Sequence, residues 1–161
     1  MTTPIKTYKF EQCYLPIKQR LNIYEDQDRV FVSGEPTVVY PKTDGSILDS
    51  VVSAYICCPQ LKMPREVAKK LKVEPRELSG AVHILTGMTH TDFLHQYRLR
   101  TIRELLRTTR LSTTTIAKFM GYSTLQSMNQ FLDDQTGLTA NEIREGLDPA
   151  TKTKKPVWWK R

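Results

Sequence analysis

One stretch of this chain is written twice. V-A-K-K-L-K-V-E-P-R-E-L-S from Val67 and I-A-K-F-M-G-Y-S-T-L-Q-S-M from Ile116 share one layout: a short helix with a small residue inside it, a tight turn, an apolar residue and a second helix. Ala68 and Ala117 stand where the first helix must approach the second, Val73 and Tyr122 supply an apolar plug after the turn, and the repeats stop at Thr86-Gly87 and Thr136-Gly137. Two short helices packed closely about a tight turn make a helix-turn-helix unit. The repeat therefore predicts two such units in tandem, and Gly121 falls in the second turn.

Apolar spacing becomes helical at Ile47, with breaks at Pro59, Pro64, Pro75, Gly87, Gly121, Gly137 and Gly146. Helices are expected near 47–57, 64–71, 75–85, 91–109, 113–119, 124–135 and 140–145. Ser123 with Gln126, and Thr139 with Glu142, have capping-box spacing. Before residue 46 the pattern is extended: Val30-Phe31-Val32 and Val38-Val39-Tyr40 flank Ser33-Gly34-Glu35-Pro36 as a hairpin would. That segment suits a small sheet, an oligomer contact or a flexible arm, and the sequence leaves all three open. The expected fold is mostly α, two helix-turn-helix units joined by a long connecting helix, with an extended or β segment over 1–45, the tandem units over 46–147 and a basic tail with two tryptophans over 148–161.

Charge points to a partner. The chain carries 24 Lys and Arg against 17 Asp and Glu, a net charge of +7, and residues 1–45 are balanced, so the whole excess lies in residues 46–161. A localised basic excess is the footprint of a phosphate-backbone binder. On a helical wheel the connecting segment gathers Leu94, Leu99, Ile102, Leu105 and Leu106 on one side. Arg100, Arg103, Arg107 and Arg110 form another stripe, expected with Lys118 to meet phosphates. A solvated charged face is the bland alternative for this stripe. Arg98 falls amid the apolar side, where a guanidinium must be paired, so it is expected to hold an ion pair or carbonyls rather than DNA.

With these features in place, residues 63–146 resemble the DNA-binding domain of the AraC/XylS family of bacterial transcription regulators. Ile116-Ala117-x-x-x-Gly121-Tyr122, followed by Thr136-Gly137-Leu138-Thr139, is similar to that family's second-unit signature, and Arg98 with Leu105-Leu106 to its connecting-helix pattern. The resemblance implies a sequence-specific binder of double-stranded DNA without the family's large ligand-sensing domain. It places base reading on the second unit at Leu125, Gln126, Asn129 and Gln130 and on the first at Arg76 and Ser79. Asn and Gln can bond adenine, and Arg guanine, in the major groove. Acidic Glu74 and Glu77 beside Arg76 predict unequal units, the second doing most of the reading. RNA polymerase or another regulator would be a further partner, and the oligomeric state is open, with a monomer sufficient.

Other classes fit less well. Three cysteines, two of them adjacent, match neither a disulfide framework nor zinc-ligand spacing, and His90 and His95 do not share a helical face. No cofactor, metal or catalytic set is expected, and the chain should be a soluble cytoplasmic one. The principal rival is a protein-interaction module that keeps the scaffold and modulates another regulator without touching DNA.

Overall fold

The computed structural model describes residues 6–33 and 46–147. The α-helices of the described residues are α1 (Phe10–Cys13), α2 (Ile47–Cys57), α3 (Pro64–Leu71), α4 (Pro75–Thr86), α5 (His90–Thr108), α6 (Thr113–Phe119), α7 (Leu125–Thr136) and α8 (Ala140–Arg144). Two short strands, β1 (Leu21–Tyr24) and β2 (Arg29–Val32), pair antiparallel with Leu21 opposite Val32 and Tyr24 opposite Arg29. The fold is thus mostly α, with a helix-turn-helix unit at each end of α5.

Helix ends follow local chemistry. Ser46, Thr89, Ser112, Thr124 and Thr139 each accept a backbone N–H from the first turn of the helix they precede. Thr139 and Glu142 form the full reciprocal box. The cap of α7 is Thr124, bonded to Ser127, not Ser123 with Gln126. A one-residue shift exchanges one Ser/Thr for its neighbour, and either could cap, so the polar pattern alone did not separate them.

The repeat is reproduced bond for bond. Val73 N–H donates to Ala68 O at 3.0 Å and Tyr122 N–H to Ala117 O at 2.9 Å, closing the two turns alike. At the stops, Thr86 and Thr136 each donate the hydroxyl to the carbonyl four residues back at 2.7 Å and accept the N–H two residues on at 3.1 Å.

Two apolar cores sit side by side. The first joins α2, α3, α4 and the start of α5 through Val67, Ala68, Leu78, Val82, Phe93 and Tyr97, and the second joins the rest of α5 to α6, α7 and α8 through Ile102, Leu105, Ile116, Ala117, Met128 and Ile143. The N-terminal segment enters both: Tyr8, Cys13, Tyr14 and Leu15 pack in the first core, and Ile17, Leu21 and Val30 in the second. Val30–Val32 is a strand whose partner is Leu21–Tyr24. The expected second hairpin arm, Val38-Val39-Tyr40, lies outside the described residues, as does the tail. β1 escaped notice because Leu21 and Ile23 are its sole apolar aliphatic positions, too few to set a period.

Candidate nucleic-acid interface

The second helices of the two units, α4 and α7, have twelve residues each; the outer face of α7 is polar, while that of α4 is polar except for the exposed Ile84. On α7, Met128 and Leu132 are buried and Leu125 and Phe131 half-buried against the second core, while Gln126 and Gln130 are exposed. The expected amides differ in environment. Gln126 has no bonding partner among the described residues. Gln130 Nε2 donates to Asp134 Oδ1 at 2.9 Å. Asn129 is half-buried, and its Oδ1 accepts the N–H of Ala140 at 2.9 Å, supplying an acceptor at the start of α8. On α4, Arg76 is exposed and Ser79 half-buried, with Glu74 and Glu77 both exposed beside them.

The arginine stripe divides. Arg100 pairs with Glu11 of α1 at 2.7 Å, a hydrogen bond that raises its pKa, and lies over the Tyr14 ring. Arg107 donates from Nε to Ile143 O at 3.1 Å and from Nη2 to Leu147 O at 2.9 Å, closing the end of α8. Arg103 is exposed, and so is Arg110, whose guanidinium stands 3.8 Å from Glu25. Lys118 is exposed on α6.

Arg98 is 4% exposed and lies between the two cores. Its Nη1 donates to Pro59 O at 2.6 Å and Leu61 O at 2.7 Å, and its Nη2 to Met120 O at 2.6 Å. The first two carbonyls belong to the α2–α3 loop of the first unit, the third to the turn of the second. One planar guanidinium thereby ties the units together, a task its fixed fork suits. Gly121 completes the joint: at φ +87°, a Cβ there would stand 2.7 Å from Gln60 Cα. Lys62 Nζ also reaches across, donating to Gly121 O at 3.0 Å.

Two further arginines are structural. Arg144 donates to Leu106 O at 2.9 Å and Leu111 O at 2.5 Å, fixing α8 on the end of α5. Arg20 is 3% exposed, bonded to Thr101 Oγ1 at 2.6 Å and Tyr14 OH at 3.1 Å, with both the Tyr14 and Tyr97 rings 5.3 Å away. Apart from Tyr14, six residues from Arg20, their partners are distant in sequence, so no periodic pattern marks them.

Among the described residues no three His, Cys, Asp or Glu side chains converge as a metal site. His90 is instead a buried core group whose Nε2 lies 2.8 Å from Tyr55 OH, and burial lowers its pKa to about 4. Between that value and its unfolded value near 6.5 the unfolded chain binds the proton and the folded chain does not, so acid destabilises. Stability should be full above about pH 6.5 and lower by about 2 kcal/mol at pH 5. Urea unfolding at pH 8 and pH 5 measures this, and His90→Gln should remove most of the difference. An unchanged difference in that variant would place the titration elsewhere.

The helix-turn-helix domain family of the AraC type matches residues 67–146. The C-terminal domain of AraT, a response regulator from Geobacillus stearothermophilus, is similar at 24% identity and a TM-score of 0.49, over 62% of this chain and 86% of that one. No curated protein is a significant match.

Proposed function

Because residues 67–146 make this chain a member of the AraC-type helix-turn-helix family, whose domain binds DNA, we propose that it reads one asymmetric duplex site with α4 and α7 in successive major grooves. The observation that carries this is the pair of repeated units at opposite ends of a 19-residue helix, locked by Arg98. Such a helix spans roughly 28 Å, somewhat under the ~34 Å of one duplex turn, so the site would be bent to fit.

Reading falls mainly to α7. Gln126 and Gln130 project from its exposed face, with Leu125 at its start, while Arg76 and Ser79 serve α4 next to two opposing carboxylates. Asn129 is assigned a shared role, since its oxygen already serves α8. Backbone contact falls to Arg103, Arg110 and Lys118. Arg100 and Arg107 are withdrawn from the phosphate row, because Glu11 holds the first and two carbonyls the second.

Selection from a pool of randomised duplexes tests the proposal. Gln126→Ala should relax preference at one base position by about 1–3 kcal/mol while leaving the salt dependence alone. Arg103→Ala should weaken binding to all sequences alike and reduce the salt slope by about 1. If the protein enriches no sequence and binds DNA weakly, the exposed Glu74 and Glu77 point to a protein-interaction module on this scaffold.

A further inference from the structure

A single helix joining two units leaves them free to swing about it unless other contacts restrain them. Arg98 restrains one side of α5. Glu104 lies six residues further along, about 120° round the helix from it, and there the N-terminal segment crosses from one unit to the other. Tyr14 OH donates to Glu104 Oε1 at 2.7 Å and Ile17 N–H to Oε2 at 3.3 Å.

Both ends of this crossing are fastened. On the first unit Tyr8 N–H donates to Leu85 O at 2.7 Å, and Leu15 N–H to Tyr97 OH at 3.2 Å. On the second, Glu25 Oε1 accepts the Arg110 N–H at 2.9 Å. Asp28 Oδ1 accepts the Ser112 N–H at 2.7 Å, and its Oδ2 accepts the hydroxyls of Ser112 and Thr115, both at 2.7 Å. Those bonds favour the carboxylate and hold the Asp28 pKa below its ordinary value. Burial of Ile17, Leu21 and Val30 in the second core completes the fastening.

We propose that residues 8–32 are a brace that fixes the separation and twist of the two units, making Glu25, Asp28 and Glu104 positioning residues that determine which half-element spacing the protein accepts. The inference rests on the DNA-reading proposal above. Units held in one geometry meet both grooves only when the half-elements have one offset. One inserted base pair moves the second half-element by about 3.4 Å and turns it by roughly 35° about the duplex axis. A braced protein must then distort the duplex or release one unit, whereas a loosened one follows the displaced element.

The experiment pairs binding with a distance measured without DNA. Glu25→Ala with Asp28→Ala removes the polar bonds of the second-unit fastening through exposed or half-exposed side chains while leaving Ile17, Leu21 and Val30 in the core. Affinity of the full chain is measured for the selected site and for versions with one base pair inserted or removed between half-elements. Labels on unnatural side chains at positions 69 of α3 and 134 of α7 report the distribution of distances between units.

The unmodified protein should lose about 100-fold in affinity per displaced base pair and the variant only about 10-fold, on the scale of losing or keeping one unit's base contacts. The variant's distance distribution should broaden. Equal losses in both, with equal distributions and an intact helical spectrum, would overturn the brace. Should the unmodified protein select no site, the DNA-reading proposal fails by itself and the distance distribution alone decides: broader in the variant supports the brace, unchanged refutes it.

Discussion

Arg98→Met should destabilise the folded chain by about 4 kcal/mol. Methionine fills much of the volume but donates nothing, so the carbonyls of Pro59, Leu61 and Met120 lose their charged donor. Each buried acceptor left unpaired costs roughly 1–3 kcal/mol. Arg98→Lys should recover only part of this, because one ammonium lacks the fork that spans two loops. Urea unfolding gives the stabilities. A loss below about 1 kcal/mol for Arg98→Met would mean that water replaces the guanidinium and that the joint does not depend on it. DNA affinity should fall with stability in these variants, since the tie joins the loop of one unit to the turn of the other.

Gly121→Ala carries the second large effect, and the chain contains its own control. Gly121 and Gly146 have nearly the same φ, +87° and +88°, in the left-handed region that costs a non-glycine residue about 1–2 kcal/mol. Around Gly146 an added Cβ meets nothing within 4 Å, whereas at Gly121 it stands 2.7 Å from Gln60 Cα and 3.0 Å from Gln60 O. Backbone atoms cannot turn aside as a flexible side chain can. Gly146→Ala should therefore cost about 1 kcal/mol, the conformational part alone. Gly121→Ala should cost about 3 kcal/mol or more, once overpacking is added. Equal losses in the two variants would show that the Gln60 loop moves away freely.

Much of the fold was legible because its boundaries are set locally. Pro64 and Pro75 open α3 and α4, Thr139 with Glu142 caps α8, and Gly87 and Gly137 stop α4 and α7, all through neighbours within a turn or two. The repeat located both units for the same reason. What stayed hidden depends on residues far apart in the chain. Asp28 bonds Ser112 across 84 positions and Arg107 bonds Ile143 across 36, so neither the fastening of the N-terminal segment nor the internal engagement of the arginine stripe leaves a periodic trace. The wheel put Arg98 among apolar residues, and it is buried; the same wheel had no means of showing that Glu11 would claim Arg100. Asn129 is an instructive case, since an amide suited to a base edge is equally suited to an open backbone donor, and Ala140 supplies one.

The N-terminal segment also has a consequence in time. During synthesis it leaves the ribosome before the units it joins, yet Glu104 and Ser112, to which it is bonded, lie 90 and 84 positions downstream of Tyr14 and Asp28. Helical units built from near neighbours close quickly, while contacts of long sequence separation wait on loop closure. Domains generally fold as units in order of emergence, so the first unit can form while the second is still being made. Ile17, Leu21 and Val30 then remain without their core until α6 has emerged. The bonds that join residues 8–32 to the second unit are thus expected to close after the helices they fasten.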